Sequence, residues 1–226
     1  MTAPPVPTSA HDPNVPAAVD TTAGPTMWDR RYAEHSWPSE PDPVLVELVT
    51  PLVPGTAVDL GCGPGRNAVW LAGRGWQVTG VDTSSVGLGQ AIQRAAEAGT
   101  SIETVQADLT GYEAPAGGFD LVVLANIHPA PHERGALFAQ VAAAVAPGGH
   151  LYVVGHHVDD LGRAGPPDPE RLYTEAVLAD AFPTLTVERL ERSDRRAGGP
   201  EATLRDVVLW AVRPGVADAP DAAAAR

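Results

Sequence analysis

The stretch Val58-Asp59-Leu60-Gly61-Cys62-Gly63-Pro64-Gly65-Arg66-Asn67-Ala68 sets an acid before three alternating glycines and an arginine after them. Glycines at that spacing let a ligand come against bare backbone, and a helix opening beyond them offers unpaired N–H groups. Two further acids stand at comparable places, Asp82 after "QVTGV" and Asp108 after "IETVQA". Three carboxylates around one turn suit a ligand with an ammonium, a vicinal diol and an exocyclic amine. The pattern Gly63-Pro64-Gly65-Arg66-Asn67-Ala68 also fits G-x-G-x-x-A, and with Asp82 it meets the dinucleotide fingerprint. Asp59 speaks against that reading, because a carboxylate beside the turn repels a pyrophosphate. A nucleoside triphosphate falls on composition: all 15 basic residues are arginines, so no Gly-Lys-Ser/Thr loop and no Schiff-base lysine exists.

Histidine is the base available at neutral pH. His128 follows the apolar run "FDLVVLAN" and is the first candidate for a catalytic role. His132 is expected at the surface. His156 and His157 end another apolar run, and because successive strand residues face opposite sides, at most one of them should face a pocket. His35 and His150 read as structural, and His11 lies in a loose N-terminal arm. No metal site is expected, since Pro129 and Pro131 prevent His128 and His132 from sharing a helix face. The single Cys62 excludes an internal disulfide and reads as a packed small side chain.

These residues need a frame that gathers strand ends. Short helices are predicted over Met27–Glu34 and Pro43–Thr50. Strands follow at Thr56–Leu60, Gln77–Val81, Ile102–Gln106, "FDLVVLANIH" and "HLYVVG", with helices at Asn67–Gly73, from Ser84 or Ser85 to Ala98, and Pro131–Ala146. A helix over Pro169–Phe182 precedes two longer strands, Thr184–Glu191 and Ala202–Val212, separated by "RSDRRAGG". Five strands alternating with helices, then a strand pair, predict an α/β doubly wound sheet ending in an antiparallel hairpin. Ligands of such sheets bind outside the carboxyl ends of the strands, where Asp59–Gly65, Asp82, Asp108 and Asn126–His128 fall.

In order and spacing, "VDLGCGPGRNAVWLA", "VTGVDTS", "VQADL", "FDLVVLANIH" and "VAPGGHLYVVG" resemble the class I S-adenosylmethionine-dependent methyltransferases. The resemblance covers roughly Met27 to Val212. Within that group, "MWDRRYAEHSWPSEPDPVLVELV" and "GRNAVWLAGRGWQVTGVDTS" look most like the tellurite-resistance and thiopurine-type small-molecule enzymes. The resemblance implies a Rossmann-like seven-stranded, mostly parallel sheet of order 3-2-1-4-5-7-6 and S-adenosyl-L-methionine as cofactor. It implies that Gly61, Gly63 and Gly65 admit the methionine part, that Asp59 orients it, and that Arg66 pairs with its carboxylate. Asp82, beside Thr83, would take the ribose hydroxyls. Asp108 and Leu109 would meet the adenine, and Ala125 and Asn126 would flank the ammonium and sulfonium. Trp28, Tyr32 and Trp37 would form an aromatic lid within a helical segment over residues 27–52. "GHHVDDLGRAGPPDP", with His156 and His157, would help bind the acceptor.

The expected activity is methyl transfer to a small molecule by in-line displacement. A soft thiol or chalcogen anion needs no base, whereas a hydroxyl or protonated amine does. The alternatives are a protein that binds the same cofactor without transfer or with non-methyl chemistry, and a dinucleotide-dependent oxidoreductase. A formal net charge of −13 disfavours nucleic acid or a membrane surface as partner. Residues 1–26 read as a disordered arm without a secretory signal, 27–213 as one domain, and 214–226 as a flexible tail. A cytoplasmic monomer or homodimer is the expectation.

Overall fold

A computed structural model describes residues 26–196 and 203–215. His11, nearly all of the expected arm, and the tail from 216 onward lie outside them. The sheet contains β1 (Thr56–Leu60), β2 (Gln77–Asp82), β3 (Glu103–Gln106), β4 (Phe119–Ala125), β5 (Val145–His156), β6 (Thr186–Arg196) and β7 (Thr203–Val212). Their order is β3-β2-β1-β4-β5-β7-β6. β1 runs parallel to both β2 and β4, and β4 parallel to β5, whereas β7 is antiparallel to β5 and to β6. The sheet therefore reverses direction of winding between β1 and β4, which is where the glycine turn emerges.

Helices cover both faces, which is why the central strands read as continuous apolar runs. Leu121, Val122, Val123 and Leu124 are all fully buried, two toward each face. On one face Val58, Leu60, Val122, Leu124 and Val153 pack with α5 (Pro131–Ala144) and α6 (Glu175–Ala179). On the other, Ala57, Leu121, Val123, Tyr152, Val154, Val208 and Trp210 pack with α2 (Pro43–Val49) and α3 (Arg66–Gly73). The remaining helices are α1 (Met27–Glu34) and α4 (Ser85–Glu97). None among the described residues is long and apolar enough to cross a membrane.

Three departures from the sequence expectation go beyond a small shift at an element end. The helix foreseen over Pro169–Phe182 is split into a 3-10 turn at Pro169–Arg171 and the short α6. Between them the Tyr173 N–H donates to His156 O at 3.0 Å, and Val158 N–H donates to Tyr173 O at 3.0 Å. A tertiary bridge thus outcompetes local helix propensity. β6 runs on through Arg192–Arg196, five of the eight residues read as a connection, because those residues pair with Thr203–Val207 of β7. Finally, α5 stops at Ala144, and Val145, in extended conformation, already pairs with Phe119.

Candidate active site

The glycine turn is built by its own backbone. Gly61 and Gly63 have φ of 78° and 51°, values an L side chain rarely adopts. A Cβ on Gly61 would strike the Ile127 side chain, and one on Gly63 would lie 2.6 Å from the Tyr32 hydroxyl. Gly65 caps α3, whose first residue is Arg66. At the end of β2, Asp82 accepts the Gly63 N–H through Oδ2 and the Ser84 N–H through Oδ1, each at 2.8 Å. Thr83 presents its carbonyl to Gln106 Nε2 at 3.2 Å, which ties β3 to the same corner.

Asp59 is 2% exposed. Burial pushes its carboxyl up to about 7, although Arg66 and the Ala68 N–H pull the other way. Asp82 is also pushed up by burial, opposed by its backbone hydrogen bonds. Arg66 lies 4.0 Å from Asp42 and makes no closer ion pair among the described residues, so its guanidinium is loosely held at the mouth of the turn. Asp42 itself accepts the Tyr152 hydroxyl at 2.7 Å, deep between α2 and β5. Cys62 is buried beside both acids, and burial raises its thiol well above the ordinary value, so it is inert.

The donor set fits a sulfonium amino-acid nucleoside. Asp59 is a buried carboxyl without a full counter-ion, which an ammonium would supply. The bare backbone at Gly61 and Gly63, the acceptor oxygens of Asp82 and the Arg66 guanidinium complete a cradle in which the buried acids outnumber the cation. Asp108 is exposed and uses Oδ1 to accept from the Thr110 N–H and hydroxyl, an Asx turn at the end of β3. Leu109 is half-buried and faces Gly61. Ala125 ends β4, and Asn126 has φ 59°, the one non-glycine in the left-handed region among the described residues. Its N–H donates to Val154 O at 2.8 Å, extending the β4–β5 pairing, and the next residue, Ile127, lies against Gly61.

Trp28, Tyr32 and Trp37 pack on one another, with ring centroids 5.1–6.2 Å apart. Only Tyr32 of the three is buried; its ring lies on Gly87 and its hydroxyl on Gly63. Sequence reasoning missed what holds this segment. Asp29 accepts from the Ser84 hydroxyl at 2.6 Å and the Val86 N–H at 3.2 Å, the first turn of α4. Gln90 donates to Tyr32 O, and Arg94 donates to Trp37 O, Pro38 O and Pro64 O. The one local signal was Thr26-x-x-Asp29, which forms a capping box on α1.

The histidines separate. In His128, Nδ1 lies 3.2 Å from Arg171 O, and Nε2 accepts the His156 N–H at 3.3 Å. A carbonyl only accepts, so Nδ1 carries the proton and both nitrogens are engaged. Burial, with His156 nearby, pulls this ring down to about 4, so it is neutral at physiological pH. His157 is 1% exposed; its Nδ1 accepts the Asp159 N–H at 3.0 Å and its Nε2 faces Glu175 at 3.3 Å. His132 sits 82% exposed on the first turn of α5. His35 bonds to Arg31 O at the end of α1, and His150 stacks on Trp210. His156 stacks on His128 with centroids 5.1 Å apart and places Nδ1 2.9 Å from Asp206 Oδ1. Asp206 Oδ2 accepts from Arg195 Nε at 2.6 Å. Burial pushes the Asp206 carboxyl up, but His156 and Arg195 outweigh it and hold it below the ordinary carboxylate value.

Sheet order, glycine turn and strand-end acids define a class I methyltransferase fold. Residues 57–149 match the family described as "Methyltransferase domain". Over that stretch, 93 of the 226 residues, the chain is similar to methyltransferase domains. A ribosomal RNA small subunit methyltransferase C of Alcanivorax borkumensis is 34% identical over 109 residues, which is 45% of this chain and 32% of that protein. An uncharacterized methyltransferase of Mycobacterium tuberculosis is 39% identical over 111 residues, 49% of this chain and 55% of its own length. The chain thus spans about half or less of these curated relatives. A solved structure described by the conversion of a disulfide bond into a thioacetal group during echinomycin biosynthesis superposes with a TM-score of 0.69. It is 22% identical and covers 83% of this chain and 91% of its own. TehB of Haemophilus influenzae superposes with a TM-score of 0.65 at 16% identity, covering 76% and 62% respectively. Both likenesses are of fold.

Proposed function

We propose that this chain transfers a methyl group from S-adenosyl-L-methionine to a small molecule. The observation that carries the reading is Asp59, a buried carboxyl beside bare glycine backbone, pushed up to about 7 by burial that Arg66 and the Ala68 N–H only partly offset. That arrangement is built for a cationic ligand and would oppose a pyrophosphate.

In this reading Asp59 faces the ammonium, Arg66 the carboxylate and Asp82 the ribose hydroxyls, with Thr83 beside it. Gly61, Gly63 and Gly65 leave room for the tail. Leu109 and Asp108 border the adenine, and Ala125 with Asn126 closes the side next to β4. Bound there, the cofactor supplies a methyl group on a sulfonium, a carbon with a good leaving group already attached. The chain's own residues then orient the acceptor, exclude water and handle its proton. Tyr32, with Trp28 and Trp37 behind it, covers the turn; burial and the acids Asp82 and Asp59 raise its hydroxyl, so it stays a neutral donor.

A small acceptor is supported by charge. A net charge of −13 and the lack of any lysine give no field for an RNA backbone, even though one relative is named for ribosomal RNA. Mass spectrometry of the full chain incubated with S-adenosylmethionine and mixed small-molecule acceptors tests the reading. A methylated product supports it, and its absence with every thiol, hydroxyl and amine offered, despite cofactor binding, points to a binder without transfer.

A further inference from the structure

We infer that His156, oriented by Asp206, is the general base for an acceptor that brings its own proton, a hydroxyl or an amine. This deepens the methyl-transfer reading and rests on it. The geometry discriminates among the histidines. His128, first in the sequence order of candidates, has no lone pair to offer: Nδ1 donates to Arg171 O and Nε2 accepts from His156 N–H. His157 has both nitrogens engaged and is 1% exposed. His132 stands at the surface. In His156, only Nδ1 is bonded; Nε2 has no hydrogen-bond partner among the described residues, and the side chain is 15% exposed.

The tautomer follows from the neighbours. Asp206 Oδ1 at 2.9 Å is an acceptor, so Nδ1 donates to it and the lone pair is on Nε2. Arg195 Nη2 also lies 3.4 Å from Nδ1, but a guanidinium can only donate, and its shorter bond goes to Asp206 Oδ2 at 2.6 Å. The charged partner at closer range decides, so Arg195 acts by fixing Asp206. The groups facing the ring are therefore Asp206 from β7, Arg195 from β6 and the neutral His128 from the connection after β4. A carboxylate behind an imidazole orients it and stabilises its protonated form, the arrangement a base needs.

Position agrees with chemistry. His156 ends β5, next to the end of β4, where the Asn126 N–H bonds to Val154 O. Ile127 lies against Gly61, and His128, the next residue, stacks on His156. A continuous contact path thus runs from the glycine turn to the free nitrogen. In the step itself, the acceptor oxygen or nitrogen gives a lone pair to the methyl carbon, and its proton passes to Nε2. The carbon–sulfur bonding pair stays on sulfur as a neutral thioether. The imidazolium, matched by Asp206, later loses its proton to water.

Two measurements on the full chain test this. Long-range 1H–15N spectra without cofactor should show His156 protonated at Nδ1 and bare at Nε2, with Asp206→Asn disturbing that tautomer; a proton on Nε2 overturns the proposal. Turnover is then read with catechol, phenethylamine and thiophenol as probes. His156→Gln should lower kcat on catechol or phenethylamine by about 10²–10⁴-fold. Thiophenol, already ionised at pH 8, should lose less than roughly tenfold by the same principle. Affinity for S-adenosylhomocysteine should be unchanged, and imidazole should restore activity to His156→Ala, outcomes a misfolded variant would not give. Transfer to thiophenol alone, or unaltered kcat on the proton-bearing probes, overturns the assignment. Failure of the wild type to bind S-adenosylhomocysteine sinks the methyl-transfer reading and this role with it.

Discussion

The carboxylate of Asp82 accepts the N–H of Gly63 at 2.8 Å, joining the end of β2 to the middle of the glycine turn across 19 residues. One side chain therefore shapes the turn and also offers the acceptor oxygens proposed for the ribose. Replacing it removes both. Asp82→Ala should weaken S-adenosylhomocysteine binding by roughly 1–3 kcal/mol, the worth of charged hydrogen bonds, and lower the melting temperature of the free chain. Calorimetry and a thermal scan check this; an unchanged affinity would place the ribose elsewhere.

Asp59 predicts a proton released on binding. Its carboxyl stands at about 7, above its ordinary 3.8, so its contribution to stability is complete below the ordinary value and is lost as pH rises through 7. A ligand ammonium opposes the effect of burial and favours the ionised carboxyl, so near pH 7 the part-protonated group gives up a fraction of a proton as the ligand enters. Binding enthalpy at pH 7 should therefore differ between phosphate and Tris by the buffers' ionisation heats. In Asp59→Asn that difference should shrink. Equal buffer dependence in both proteins would show that Asp59 does not face the cation.

Asp29 predicts a measurable latch. Burial would raise its carboxyl, but hydrogen bonds from Ser84, Thr26 and Val86 outweigh burial and hold it well below the ordinary value. Those bonds fix α1, and with it the Tyr32 ring over Gly87 and Gly63. Losing a charged hydrogen bond costs about 1.5–3 kcal/mol, so Asp29→Ala should raise the open population of α1 by roughly tenfold or more. Faster tryptic cleavage after Arg30 or Arg31, and faster cofactor association by stopped flow, are the expected results. Wild-type rates of both would mean that α1 is held by its aromatic contacts and by the Gln90 and Arg94 bonds instead.

Much of this frame was legible because local pattern and topology agree. Apolar runs bounded by turn residues gave each parallel strand, and the acids Asp59, Asp82 and Asp108 marked strand ends. The break at Tyr173 was not legible, since it depends on a bridge to His156 and Val158 that no local window contains. The Asp29–Ser84 bond spans 55 residues and was hidden for the same reason. Asp206 was within reach: Leu204, Asp206, Val208 and Trp210 share one side of β7, so an acid stands in a buried row. A buried acid asks for a partner, and that question leads to His156.

His128 predicts loss of stability in acid. Its folded value of about 4 lies below the ordinary 6.5, so the contribution is present above 6.5 and is lost as pH falls through 4. The size is about 3 kcal/mol at most, from the energy of a shifted unit. Asp59 changes in the opposite sense over part of this interval, so the comparison must be between variants. Urea midpoints of wild type should fall from pH 6.5 to 4 more steeply than those of His128→Gln. Parallel curves would show that the ring is protonated in the folded chain or free to leave its site.

The most direct test of a sulfonium cofactor at the glycine turn is a calorimetric titration of the full chain with S-adenosylmethionine, S-adenosylhomocysteine and NADH. Saturable one-to-one binding of both sulfur compounds, weakened in Asp82→Ala, is expected, with no heat from NADH. Binding of NADH with no response to either sulfur compound would contradict it.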